Sequence, residues 1–171
     1  MGEGKRESDR TDYYLLSNLV HTGVKIREGK HEIKARSGQA ETRPFGLVEH
    51  WIKWSSDEKE NIINSIAPHQ LVEWMAIEKK RYKKLYEVTG KNVLQPSKKD
   101  YVDDGCGVEF TYIFIPSEKK RLYTLGLEAF ATRYTPQHNL YLALDQLELD
   151  LAHLKDLDSY GYPEMIKRLV N

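Results

Sequence analysis

Apolar and polar positions alternate with a period of two through much of this chain, and that spacing predicts strands. The clearest case is Gly23 to Gly38, GVKIREGKHEIKARSG. Val24 and Ile26 alternate with Lys25 and Arg27. Beyond a turn at Glu28-Gly29-Lys30, Ile33 and Ala35 alternate with Glu32, Lys34 and Arg36. Gly29 can take the positive φ that a tight hairpin loop needs. One hairpin thus carries apolar pairs on one face and Lys25, Arg27, Lys34 and Arg36 on the other. Whether that basic face meets water or lines a pocket decides how the protein is read.

The same reasoning extends along the chain. Residues 1–9 are polar and aperiodic and read as a loose leader. Asp12 to Leu16 is a strand, and Ser37 to Gly46, with its Gly, Pro and Thr, is a loop. Leu47 to Trp54 (LVEHWIKW) is aromatic and β-branched and reads as a strand. Ser55 and Glu58 have capping-box spacing for a short helix carrying Ile62, Ile63 and Ile66 and stopped by Pro68. Leu71 to Val88 has the length of a helix but the Val, Trp, Ile and Tyr content of a strand. The strand is favoured, because Met75, Ile77, Lys79 and Arg81 then share one face. A turn at Thr89–Asn92 and a loop from Gln95 to Gly107 follow. Val108 to Ile115 (VEFTYIFI) and Leu122 to Thr132 are strands joined by a turn at Pro116–Lys120. Thr135-Pro136 reads as an N-cap with a first-turn proline, opening an amphipathic helix with Leu140, Leu144, Leu147, Leu151 and Leu154 on one stripe. Ser159 to Pro163 breaks it, and a short last helix runs to Val170. The expected fold is one α+β domain over residues 1–171. Its core is an antiparallel β-barrel or tunnel, closed or nearly closed, which would remove the sheet edges, with helices outside and at the C-terminus.

Charge narrows the function. Among 171 residues, 26 Lys and Arg balance 26 Asp and Glu. No bulk positive field draws the chain to nucleic acid, so positive charge matters only where it clusters. A single cysteine, Cys106, excludes an intrachain disulfide and a Cys-rich zinc site, and no base is identifiable for it as a nucleophile. No apolar run has transmembrane length, and MGEGKRESDR lacks the apolar centre of a signal peptide. A soluble, cytoplasmic monomer or homodimer without a membrane partner is expected. The six histidines have no metal-ligand spacing, and neither a phosphate-binding glycine loop nor a Gly-x-Ser-x-Gly elbow is present.

What remains is a set of strands with basic residues at alternating positions: Lys25 and Arg27, Lys34 and Arg36, Lys53, and Lys79 and Arg81, with acids at Glu49, Glu109 and Glu128. Each basic pair alone reads as a solvated strand face. Pointed together into a closing sheet they would line a cavity. Lys and Arg are not buried unpaired without a large desolvation cost, so the guest would be a polyanion such as a triphosphate. Carboxylates on one side could hold Mg²⁺ or Mn²⁺ bridging its phosphates.

The order of these pieces resembles the CYTH domain, the fold of the triphosphate tunnel metalloenzymes, which includes thiamine-triphosphatase-like and adenylate-cyclase-like proteins. RTDYY from Arg10 resembles that family's Arg-Asp-x-Tyr-Tyr-like strand, Lys25 with Arg27 its basic-x-Arg strand, and Glu32 with Lys34 its Glu-x-Lys strand. EKKRY resembles the Lys-x-Arg strand, CGVEFTYI the strand with a central acid, YTLGLEAF the late acidic strand, and SYGYPEMI the closing Tyr-Pro-Glu helix start. The resemblance implies a basic tunnel for a polyphosphorylated small molecule. Lys25, Arg27, Lys34, Lys79 and Arg81, with Arg36 on the same face as Lys34, would bind the phosphates. Glu109 and Glu128 would bind Mg²⁺ or Mn²⁺ for a metal-dependent triphosphate phosphohydrolase. The family's opening Glu-x-Glu-x-Lys strand is echoed only by Glu3 and Lys5; the late strand keeps one acid, and Thr111 stands where many members carry another. The phosphate-binding half of the pattern is therefore fuller than the metal-binding half. Three readings follow: a hydrolase, a non-catalytic phospho-ligand-binding module of the same fold, or an unrelated β-barrel interaction protein.

Overall fold

The computed structural model describes residues 4–44, 46–56, 73–89, 93–99, 101–147 and 158–170. Its elements in chain order are β1 (Lys5–Arg6), β2 (Arg10–Leu15), β3 (Thr22–Arg27), β4 (Lys30–Arg36), β5 (Glu41–Arg43), β6 (Gly46–Val48), β7 (Trp51–Ser56), β8 (Trp74–Thr89), β9 (Val93–Ser97), β10 (Gly105–Ile115), β11 (Lys120–Phe130), α1 (Pro136–Gln146) and α2 (Tyr162–Val170). The described chain is thus α+β and mostly antiparallel sheet. The helix expected from Asp57 to Pro68, the Gly90–Asn92 part of the turn, and Leu151 and Leu154 of the leucine stripe lie outside the described residues.

Two compact units share the chain, and β8 passes through both. One holds the described residues of Thr11–Glu78, Ile115–Lys120 and Asp150–Asn171; the other holds those of Met1–Arg10, Lys79–Phe114 and Arg121–Leu149. In the first, the strand path runs from the start of β8 through β2, β3 and β4 to β7, with β5 and β6 as a separate pair. In the second, β11 pairs β10 and β10 pairs β8, which also takes β1 and β9. Neither path returns on itself among the described residues, so the sheet is not closed into the expected barrel.

The β3–β4 hairpin forms as its alternation demands. Glu28 and Gly29 both take positive φ, 51° and 79°, the two-residue loop whose twist matches the flanking strands. Arg27 then faces Lys30 and Lys25 faces Glu32. Ser55 lies in β7 opposite Glu32 instead of capping a helix, because β7 continues the ladder on β4. The loop expected between Ser37 and Gly46 contains β5, which pairs β6. Two residues of the supposed leader form β1, with Lys5 opposite Lys83. The ambiguous stretch is a strand of 16 residues, β8, because strands on both sides satisfy its backbone. Met75, Ile77 and Lys79 are buried at alternate positions, as expected of that face.

In the unit of β8 to β11, Ile113, Cys106 and Val88 are buried in the core. Thr135 caps α1 by accepting from the His138 amide at 3.1 Å, and the buried Asn139 donates to the Phe130 carbonyl at 2.8 Å. Asp104 fastens the same unit. Its Oδ1 accepts from the amides of Thr132, Arg133 and Tyr134 at 3.1–3.2 Å, and Arg133 Nε donates to Oδ2 at 2.8 Å. The Arg133 hydrogen bond and those amides hold the carboxyl down at about 2, against an ordinary 3.8. A carboxylate whose pKa is lower in the folded chain stabilises it above the ordinary value. That stability is lost as pH falls from 3.8 towards about 2. Asp104→Asn is expected to lower Tm at neutral pH by on the order of 5 °C. It should also flatten the melting profile between those pH values, as circular dichroism melts will show.

Candidate functional site

The basic face of the hairpin is partly covered: the Lys25 side chain is 14% exposed, whereas Arg27 and Lys53 keep 31% and 42% of theirs exposed. Lys25, Arg27, Glu32, Lys34 and Arg36 share one side of β3–β4, with Tyr14 facing Lys25 on β2 and Lys53 facing Lys34 on β7. Asp12, two residues before Tyr14, is 0% exposed and Glu32 is 4% exposed. On the opposite face Tyr13, Ile52 and Trp54 are 47%, 48% and 51% exposed. Val24 and His31 on that opposite face are buried too, at 3% and 2%, so both sides of the hairpin are partly buried, and Asp12 and Glu32 lie inside on the charged one. Their burial is made tolerable by pairing. Lys25 Nζ lies 3.3 Å from Asp12 Oδ2 and 3.1 Å from Glu32 Oε2. Glu32 Oε1 takes Arg27 at 2.7 Å and Lys53 at 3.2 Å. Burial pushes the Glu32 carboxyl up, but Lys25, Arg27 and Lys53 together outweigh it and hold the carboxyl below its ordinary value. The Tyr14 ring stacks on Tyr162 at 5.5 Å, and Pro163 closes over Gly23, where a Cβ would lie 2.8 Å from the proline ring. The closing Tyr-Pro-Glu start of α2 thus covers one end of this face.

Arg36 leaves the cluster. Its Nη1 lies 3.0 Å from Glu49 Oε1 and its Nη2 is 3.2 Å from His21 Nε2, while Trp51 Nε1 donates to Glu49 Oε2 at 3.2 Å. Of the four predicted basic residues of the hairpin, Lys25 and Arg27 converge on one carboxylate. Lys34 shares their face, and Arg36 joins a separate clasp.

In the other unit, Arg81 is the organising cation. Its Nη1 is 3.2 Å from Glu109 Oε2 and its Nη2 is 3.8 Å from Glu7. Thr111 donates to Glu109 Oε1 at 2.9 Å. Lys79, two residues before Arg81, is buried. Beside Arg81 opens a cleft of about 640 Å³ lined by Lys5, Arg81, Lys83, Lys84, Lys98 and Lys99, with one carboxylate, Glu7, and with Leu85 and Ser97. Arg81 is the one predicted site residue in that wall. The five lysines were not predicted, although KKRYKK on β8 shows the charge run that supplies two of them. Lys5 comes from β1, whose ladder sets it opposite Lys83. At the rim Lys99 lies 3.0 Å from Glu87.

The acids expected to hold a metal lie apart in their contacts. Both oxygens of Glu109 are engaged, one by Arg81 and one by Thr111. Glu128 is exposed on β11. Mg²⁺ asks for near-octahedral oxygen ligands, and among the described residues no group of three or more His, Cys, Asp or Glu is placed to hold a metal ion. Burial, and secondarily the charge of Glu128, pushes the Cys106 thiol up to about 12, so it is an inert core residue. No helix among the described residues is long and apolar enough to cross a membrane.

Comparison with family models, with curated proteins and with solved structures returns no match.

Proposed function

We propose that this protein binds a polyphosphorylated small molecule in the basic cleft beside Arg81, as a binding module without its own hydrolytic centre. The observation that carries this reading is the cleft wall, which gathers six cations and one carboxylate, with Glu109 and Glu87 meeting Arg81 and Lys99 from outside that lining. A concave wall with that excess of positive side chains sets up a positive local field, and an anion with several phosphates meets it at many points at once. Arg81 supplies a fork already oriented by Glu109, and the lysines supply adaptable point charges. The ordered resemblance to the CYTH domain supports the same ligand class, and its tunnel-type barrel belongs to this proposal. Binding is favoured over hydrolysis because Glu109 already serves as counter-ion to Arg81 and accepts from Thr111, and among the described residues no group of three or more His, Cys, Asp or Glu is placed to hold a metal ion.

Thermal shift measurements on the full chain at low salt test it. Tripolyphosphate is expected to raise Tm by several degrees at saturation, since about 100-fold excess over Kd stabilises by about 2.7 kcal/mol. Orthophosphate should do far less. The shift should shrink as salt is raised. Lys83→Glu with Lys98→Glu should abolish it, whereas Arg168→Ala, which loses exposed contacts with Glu164, Asp158 and Tyr160 away from the cleft lining, should keep it. No shift with tripolyphosphate, or equal loss in all variants, overturns the assignment. Phosphate release from tripolyphosphate with Mg²⁺ or Mn²⁺ would restore the hydrolase reading.

A further inference from the structure

β11 pairs β10 on one side and, among the described residues, no strand on the other. An unpaired edge of 11 residues without proline is a template for another strand unless something blunts it. Basic residues stand only at its beginning, Lys120 and Arg121, and Glu128 stands near its end. Along the middle the exposed residues are apolar: Tyr123 at 68% and Leu125 at 41%. Tyr123 stacks on the half-exposed Phe110 of β10 at 5.8 Å and meets Tyr112 at 5.4 Å. The aromatic ridge therefore runs up to the edge itself.

We infer that β11 is the seam of a symmetric dimer, paired antiparallel with β11 of a second copy. Residues directly opposite in an antiparallel ladder share a face of the sheet, and a two-fold axis makes every contact occur twice. One register satisfies both rules and the charge pattern together. With Thr124 opposite its own copy, Lys120 faces Glu128 at both ends. Tyr123 faces Leu125 twice, on the side where Phe110 extends the apolar strip. Leu122 faces Gly126, where even an added Cβ would meet nothing within 4 Å and the side chain finds room. A parallel pairing would set Lys120 against Lys120, and moving the antiparallel register by one step removes both ion pairs. The charges that would repel a strand of general sequence are thus complementary to this strand reversed, which selects a second copy over an unrelated peptide. A net charge of zero adds no long-range repulsion between copies.

Sedimentation velocity of the full chain over a rising concentration series tests the seam. Wild type is expected to pass from monomer to dimer. Glu128→Lys and Lys120→Glu should each raise the dimer dissociation constant about ten-fold or more, because each puts like charges opposite at both ends. Combining the two should restore the wild-type value. Tyr123→Ser should weaken the dimer through the apolar contact alone, giving a second route if a charge variant folds poorly, as far-UV circular dichroism will report. A chain that stays monomeric throughout, a dimer indifferent to the single charge changes, or a double variant that fails to recover each overturns the proposal.

Discussion

Gly105→Ala is expected to destabilise the protein by about 4 kcal/mol, near the upper end for a single substitution. Gly105 opens β10 against the backbone of β8. A Cβ there would fall inside the van der Waals envelope of the Tyr86 carbonyl oxygen and come within 2.9 Å of Val102 Cγ2. The first obstacle is backbone and cannot swing aside as a side chain end would. Nor can the glycine retreat. The carbonyl of Asp104 accepts from the Val88 amide at 2.9 Å, and its carboxylate holds the amides of Thr132, Arg133 and Tyr134. Relief of the clash must break one of these. For a chain of this size the loss corresponds to a Tm lower by about 10 °C, measurable by urea and thermal denaturation. Gly126→Ala is the matched control. It has nothing within 4 Å of the added carbon, so it should be neutral or stabilising by up to about 1 kcal/mol. Gly105→Ala melting within a degree or two of wild type would mean that β10 is not seated on β8 in this way.

The strands were legible wherever period two coincided with turn chemistry. Glu28-Gly29 marks the hairpin, and Pro116 to Lys119 closes the next turn through a 3.2 Å hydrogen bond. β8 was legible only as an alternative, because helix and strand both suit its composition. Its neighbours decide, and they come from distant parts of the chain. Burial on both faces of the hairpin was not legible at all. Alternation says that Lys25 and Val24 lie on opposite sides; it does not say that Val24 on one side and Asp12 and Glu32 on the other are all buried. Asp12 pairs with Lys25 through the β2–β3 register, a relation between distant residues that no local pattern announces.

The site was partly legible for the same reason. Arg81 emerged from its spacing with Lys79, but the cleft beside it gathers Lys5, Lys83, Lys84, Lys98 and Lys99 from three strand regions brought together by the β1 and β9 ladders on β8. Residue types in order could suggest Glu109 as a metal ligand. They could not show that Arg81 and Thr111 already occupy both of its oxygens. The same ambiguity attends every acid in a basic surrounding: a carboxylate that could hold a metal can equally serve as the counter-ion that lets the surrounding be built.

Glu32 is the plainest case of that second role, and Glu32→Gln is expected to cost about 3 kcal/mol although it preserves the size of the side chain. Lys25, Arg27 and Lys53 all lie within 2.7–3.2 Å of its oxygens. Without its charge the three cations face one another with only Asp12 left among their named partners. The exposed Lys53 can turn to water, whereas Lys25 is held beside the Tyr14 ring, 5.9 Å from its centre, and cannot. The acid dependence follows from the same pairs. The folded-state pKa of Glu32 is lowered from its ordinary 4.5, so its stabilisation is present above that value and is lost as pH falls through the lower, folded one. Wild type should therefore lose Tm below about pH 4.5 more steeply than Glu32→Gln, while Asp104 acts equally in both. Urea denaturation at neutral pH and a melting series down to acid pH check the two parts separately. The variant also divides the two basic regions. If the anion binds at the cleft, Glu32→Gln should leave the tripolyphosphate affinity within about two-fold of wild type, because the added charge is screened by salt. An affinity gain of about ten-fold or more would instead place the anion on the hairpin face, where the lost carboxylate had been its competitor.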